Sequence, residues 1–532
     1  MAKPMLVRLA APPGVVRDLV VARLAAATTA EGALAVAAPP DRQPAIELTL
    51  SISGDAHGTT VAITSTGGID VPFFAWFFRP LVAIAHRRAR AHAAATLEAA
   101  LAGRPDPPPP GPLVGLPPVA FTHEQSTLLA TASAASAVVG FAGALFGQLN
   151  SPISHSFHAS DADIGVALAV TRFGALIALF AIALADRRGR RRAILFGVIG
   201  SAVVCAVSAL APNLTIFTAA QVFQRGFVIT TFVVAGIAVV EEAPEGARAF
   251  AASMLALAGG LGFAISVVVL PFGDVQSWGW RIPFAVGAAS ILLVPAIARR
   301  LAETTRYLAL AERSDVTRGR VRDVVERHGR RFVLLALVAF LTSIFSAPSS
   351  QFMNKYLTDD HGFTNTGIAI FRTVTTGIPG LVGLLLGGRL AEARGRRPVA
   401  ALALAIATAS QMVFFLAGGP IIWLMSAVSI LAAGASGVAL GTMDAELFPT
   451  EVRSTSNALL VVVGVLGSAT GLVLSGALSD PLGGLGRAVA LMGVGSLVVA
   501  IFIVPLLPES AARALDDVSP TWPTEGDYGP DP

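Results

Sequence analysis

Cysteine is almost missing from this chain: Cys205 is the single one in 532 residues. That excludes an intrachain disulfide and a cysteine-based metal cluster, and the apolar run around Cys205 makes it a packing residue. Charge is scarce too, at 14% of residues against 54% hydrophobic, where about 25% charged is usual in soluble proteins. The mean hydropathy is +0.70. The first residues lack the charged, apolar and small-residue order of a removable signal peptide. Residues 1–104 lack a nucleophile–base pair at recognisable spacing, a phosphate loop and a metal cluster. No enzymatic function is therefore expected, and no catalytic residue, cofactor or metal is assigned. His57, His86 and His92 have no acidic or sulfur partner at ligand spacing.

What the chain does contain is long apolar runs. Twelve follow Ser126, at about 126–149, 162–185, 193–211, 214–240, 250–272, 282–298, 332–353, 366–388, 398–418, 420–442, 455–479 and 486–507. Roughly 20 apolar residues cross a bilayer as a helix. The runs predict an all-α membrane protein of twelve transmembrane helices, with lipid as its surroundings. Glycines such as Gly259, Gly260 and Gly262 suit close helix packing in lipid.

The net charge of +4 and pI near 9.8 do not mark a nucleic-acid partner, because the arginines cluster at the ends of apolar runs. Ala185–Arg192 alone holds five arginines between two runs. Short basic loops lie on the cytoplasmic side, and placing this one inside also puts the arginine-rich stretch 299–331 inside. The expectation is a plasma-membrane protein with both termini cytoplasmic.

Residues 1–104 differ from the rest. Ala45–Ser53 and Thr59–Ser65 alternate polar and apolar residues around turn residues 54–58, the pattern of a β-hairpin. Val71–Leu101 then predicts one long helix. A small cytoplasmic α+β domain is expected, and its strands followed by a long helix resemble the end of a helix-grip lipid- or cyclase-type domain. The aromatic run Phe73–Phe78 admits two readings, a core or domain contact and a segment at the membrane interface. The domain plan is 1–104, a Pro-rich linker 105–118, a first half 119–298, a central cytoplasmic loop 299–331, a second half 332–512 and a disordered tail 513–532.

The two halves repeat. Asp186-Arg-Arg-Gly189-Arg190-Arg recurs as Glu392-Ala-Arg-Gly-Arg396-Arg, an offset of 206. Glu241, Pro244 and Arg248 recur as Glu446, Pro449 and Arg453, an offset of 205. Glu303-Thr304 matches Glu509-Ser510, again at 206. Three landmarks in register predict two six-helix halves in parallel. With Ser277–Phe284, Glu446–Arg453, Leu507–Ser510 and the Gly-rich Gly140–Gly147, the chain resembles the major facilitator superfamily over about 120–512. Its nearest branches are the sugar porters and metabolite–proton symporters. That resemblance implies alternating access driven by protons or another coupling ion.

Two sets of candidate residues follow. For gating, Asp186, Arg187, Gly189, Arg190, Glu241, Arg248, Glu392, Arg396, Glu446 and Arg453 are expected to act as state-dependent clamps, with Glu241 opposite Arg248 and Glu446 opposite Arg453. The alternative is that these loops only set topology. For the substrate pathway, Arg172, Arg225, Gln221, Gln224, Gln148, Asn150 and Gln351 are polar groups in apolar surroundings, with Asn354 and Gln411 weaker. Arg372 is expected to bond a carbonyl or reach a boundary. No Asp or Glu lies deep in a span, and Ala142 stands where proton-coupled symporters of the resembled branch commonly carry an acid. Related fourth helices read Arg-x-x-Gln-Gly, whereas here Gln221–Gly226 ends Gln-Arg-Gly, which displaces Arg225. The function expected is transport of a small polar or anionic solute, such as an organic acid or sugar-like metabolite. A drug–proton antiporter and a membrane sensor with a cytoplasmic output domain remain the alternatives.

Overall fold

The structure, a computed structural model, describes residues 4–24, 27–28, 34–36, 45–55, 58–68, 71–108, 119, 121–178, 181–182, 189–244, 247–303, 321–446 and 450–509. Asp186, Arg187 and the tail 513–532 lie outside the described residues, as do the side chains of Glu392, Glu446 and Arg453.

Residues 5–101 hold a five-stranded antiparallel sheet, in the order β1-β5-β4-β3-β2. Its strands are β1 (Met5–Leu9), β2 (Ala27–Thr28), β3 (Leu34–Val36), β4 (Ala45–Asp55) and β5 (Gly58–Gly68). The expected hairpin forms from β4 and β5, with Leu50 opposite Ile63 and Ile52 opposite Val61. Alternation explains which face closes. Leu48 and Leu50 are buried while Glu47 and Ser51 are exposed, since successive side chains point to opposite faces. Helix α1 (Pro13–Leu24) adds Val16 and Val20 to this core, and α2 (Ala75–Leu101) adds Ala93, Ala94 and Leu97. Leu50, Val61 and Ile63 are fully buried, each worth about 1.5–3 kcal/mol.

The start of α2 faces away from that core. Phe74, Trp76, Phe77 and Phe78 line an apolar cavity of about 500 Å³ together with Leu129, Met254 and Leu261 from two long helices. Phe73 packs on a core cluster of the helical part, and the Arg300 guanidinium lies 5.7 Å from its ring centre. The aromatic run is thus a contact between the two parts of the chain.

Eleven described helices are long and apolar enough to cross a membrane. Their outer faces carry Leu210, Val268, Leu292 and Ile378, all more than two-thirds exposed, as residues meeting lipid must be. The expected run 162–185 extends over residues outside the description; most of the helix Asp161–Arg172 belongs to its described part. The helix Val321–Gln351 begins inside the stretch expected to be loop, where no proline or glycine interrupts residues 321–328. Helix starts are capped by their own sequence. Thr122 and Ser160 form capping boxes with Gln125 and Asp163, and Asn213 and Thr364 cap the helices after them.

One core cluster gathers residues 121–301 and another residues 335–507, while a third contains residues of both sets. The helices run alternately, so the bundle has two ends. One carries Gly189 and Gly395, before the helices Arg190–Leu210 and Arg396–Leu416. The other carries the ends of α3 (His123–Gln148) and of Val321–Gln351. These are called the arginine end and the far end.

Candidate functional site

Arg172 is the last residue of the helix Asp161–Arg172, and Arg225 sits midway along Leu214–Glu242. Both line a small cavity of about 30 Å³ together with Thr171, Gln221, Gln224 and Gln351. Gly147 of α3 lies against Gln351, and Gly143 lines the cavity one turn away. The two guanidinium groups repel each other. Among the described residues no hydrogen bond or ion pair holds either of them, and Nε of Arg172 is buried without a partner. Buried charges in that condition are costly, so a counter-charge has to come from elsewhere.

Gln221 donates to Ser208 (2.8 Å) and Gln224 to Ser201 (2.6 Å). These bonds tie Leu214–Glu242 to Arg190–Leu210 and leave the Gln224 and Gln351 Oε1 atoms buried without partners. Arg372 is held as expected by neutral oxygens, donating to Asn354 Oδ1 (2.6 Å) and the Ser350 carbonyl (3.4 Å). Gln411 is buried with its Oε1 unpartnered and does not line this cavity.

Gln148 and Asn150 are placed apart from the arginines. They join the two halves at the far end. Asn354 Nδ2 donates to the Gln148 carbonyl (2.7 Å) and side chain (2.8 Å), and Asn150 donates to the Gln351 carbonyl (2.6 Å). Residues 148 and 354 are themselves 206 apart, so equivalent positions of the repeat meet here.

Beside them lies a charge cluster that the sequence reading passed over. Lys355 Nζ meets Asp161 (3.2 Å) and Ser154 (3.2 Å) of the first half and Asp359 (2.5 Å) of its own half. Ser151 donates to Asp359 (3.0 Å), and Ser479 of the second half donates to Asp161 (2.6 Å). His155 lies 3.6 Å from Asp359. Burial alone lowers the Lys355 amine, but its hydrogen bond and attraction to Asp359, then Asp161, outweigh this and hold it above the ordinary lysine value. Burial pushes the Asp360 carboxyl up, His361 pulls it down, and Asp359 and Asp161 push it up further. Asp274 adds a second bridge, accepting from the backbone and side chains of Asn365 and Thr366 at 2.7–3.1 Å. The signal for the cluster was available: Lys355 is one of two lysines among 38 basic residues.

At the arginine end the contacts differ from expectation. Arg190 pairs with both oxygens of Glu241 (2.9 and 3.0 Å); Arg248, the expected partner, is exposed at the start of the next helix. A buried guanidinium offers a planar fork that matches the carboxylate, and an exposed one gains little. Glu303 accepts the backbone N–H groups of Arg190 (2.8 Å) and Arg191 (3.2 Å), placing an anion on a helix N-terminus. The second half repeats the device with Glu509 accepting from Arg396 (2.9 Å) and Arg397 (3.1 Å). Gly189 (φ +99°) and Gly395 (φ +95°) both adopt the left-handed region. A Cβ on Gly189 would collide with the Glu303 carboxylate, and one on Gly395 would lie 2.9 Å from Glu509. The motif glycines therefore admit the carboxylate as well as the turn. These described contacts lie within a half, so rocking of rigid halves would leave them intact.

Comparisons with known proteins follow the same outline. A sequence model of the Major Facilitator Superfamily matches residues 132–377 and 332–520. The citrate-proton symporter of Klebsiella pneumoniae is 30% identical over 206 residues, covering 37% of this chain and 45% of that protein. The alpha-ketoglutarate permease of Escherichia coli (strain K12) is 27% identical over 300 residues, 51% of this chain and 66% of that one. The chain thus spans about half to two-thirds of these curated relatives. Among solved structures, a bacterial homolog of the human lysosomal transporter Spinster, inward-facing and occupied, superposes with a TM-score of 0.60 at 18% identity. It covers 71% of this chain and 96% of its own.

Proposed function

Because the chain belongs to the major facilitator superfamily, we propose that it is a secondary transporter of small organic anions rather than an enzyme. In this reading twelve spans form two six-helix halves, with the substrate crossing between them by alternating access. The arginine end is cytoplasmic, as are both termini, because the basic loops gather there. The arrangement described then has the outer end closed by the far-end bridges and is inward-facing.

The observation that carries the anionic substrate is the pair Arg172 and Arg225. Both are membrane-embedded cations on one cavity wall, and neither has a protein counter-ion among the described residues. Such groups mark substrate pathways. The names of the two curated relatives, a citrate-proton symporter and an alpha-ketoglutarate permease, support a carboxylate. The free amide oxygens of Gln224 and Gln351 would accept from an O–H of the solute, a hydroxyl or a protonated carboxyl. In this arrangement the cavity is only about 30 Å³, so loading requires the lining to part further around the solute.

The far-end bridges are the outer gate in this scheme, and the Glu303 and Glu509 contacts keep each half rigid while the halves rock. A thermal-shift screen of purified protein against citrate, alpha-ketoglutarate, neutral sugars and cationic drugs tests the substrate class. Stabilisation by the carboxylates alone is expected. Stabilisation by the drugs alone would favour an efflux antiporter.

A further inference from the structure

Among the described residues, no carboxylate, imidazole or amine lies in the interior of a membrane span. Every Asp and Glu in the spans sits near a span end, as Asp161, Glu241 and Asp274 do. The eight histidines, at 57, 86, 92, 123, 155, 158, 328 and 361, lie outside the span interiors, as do the two lysines and three tyrosines. Around the cavity, the surfaces facing Arg172 and Arg225 come from α3, Asp161–Arg172, Leu214–Glu242 and Gln351, and among the described residues no other ionisable side chain lines it. Arginine itself does not titrate.

On this basis we infer that the cavity selects a solute carrying two negative charges, and that any accompanying proton travels on the solute. This rests on the transport reading above. Arg172 and Arg225 supply two positive charges with no protein counter-ion among the described residues. A dianion between them leaves the closed site neutral, whereas a monoanion or a trianion leaves one charge uncompensated in a low-dielectric interior. Arg372 does not enter this balance, because it is held by Asn354 and Ser350 away from the cavity lining.

The consequence is a proton count set by the substrate. A dicarboxylate crosses fully ionised, without a proton. A tricarboxylate crosses with one carboxyl protonated. Its O–H donates to one of the buried, unpartnered amide oxygens of Gln224 or Gln351 while its two carboxylates meet the arginines. On release into water that carboxyl ionises and frees the proton on the receiving side, so one proton moves per tricarboxylate.

The experiment uses the full chain in proteoliposomes with a trapped pH dye. Uptake of labelled citrate and of labelled alpha-ketoglutarate is followed with the proton flux, from acid to mildly alkaline pH. About one proton per citrate and none per alpha-ketoglutarate are expected, and citrate uptake should fall as its third carboxyl ionises while alpha-ketoglutarate uptake stays level. Equal proton counts for the two acids, or one shared pH midpoint, would place the titrating group on the protein and overturn the inference. Transport of neither acid would instead overturn the organic-anion reading on which it rests. As a second arm, Arg225→Gln leaves one positive charge and should shift selection towards monoanions. An unchanged preference for the doubly charged acid would also overturn the charge match.

Discussion

Replacing Lys355 by methionine removes the cation from the far-end cluster while keeping most of its apolar stem. Asp161 and Asp359 then face one another with the Ser479 and Ser151 hydroxyls, and His155 at 3.6 Å from Asp359, as the described partners across the halves. The Lys355 side chain is 6% exposed and the two carboxylates 25% and 26%. Truncating one member of a fully buried pair costs about 3–5 kcal/mol. A quarter of each carboxylate meets solvent here, and screening reduces the cost to about 2 kcal/mol. In a two-state equilibrium that is a roughly 30-fold shift away from the form closed at the far end. Spin labels at Ser156→Cys and Pro481→Cys, on opposite halves near the cluster, read this directly, since the native Cys205 is buried. The wild type should give a single short distance and Lys355→Met a second, longer population. An unchanged distance distribution would show that the cluster does not hold the halves together.

Two further outcomes follow from the same geometry. Gly189→Ala forces a side chain into the left-handed region and onto the Glu303 carboxylate, which should cost about 2 kcal/mol. Gly395→Ala, with a longer approach to Glu509, should lower the thermal unfolding temperature less. Because the Lys355 amine is held above its ordinary value, its contribution is complete below the unfolded lysine value and is lost only as pH rises through the raised one. Far-end distances should therefore stay constant between about pH 8 and pH 10 and lengthen above that range.

The parts that were legible in the sequence were those written as local pattern. Alternation over Ala45–Ser65 located the hairpin, long apolar runs located the helices, and the 206-residue repeat paired Gly189 with Gly395. The repeat even marked Glu303 and Glu509, but it gave them no role. Their role depends on the start of Arg190–Leu210 meeting the chain after Arg300, and no sequence spacing states that meeting. No sequence spacing singled out Lys355, because its partners Asp161 and Ser154 are brought to it by the folding of the other half. Glu241 was matched with the nearest arginine in the chain, whereas packing supplied Arg190. Gln148 and Asn150 show the same limit. A polar residue near the end of an apolar run faces a cavity or a neighbouring helix, and only the assembled bundle decides which.

The central claim is that Arg172 and Arg225 form the binding site for an organic anion. Its most direct measurement is initial-rate uptake of citrate and alpha-ketoglutarate into proteoliposomes by the wild type and by the double variant Arg172→Gln/Arg225→Gln, each checked for insertion and folding. Saturable uptake by the wild type and a loss of at least about 100-fold in the folded double variant, equivalent to two charge-assisted contacts, is the expected result. Undiminished uptake by that variant, or no uptake of any organic anion by the wild type, would contradict it.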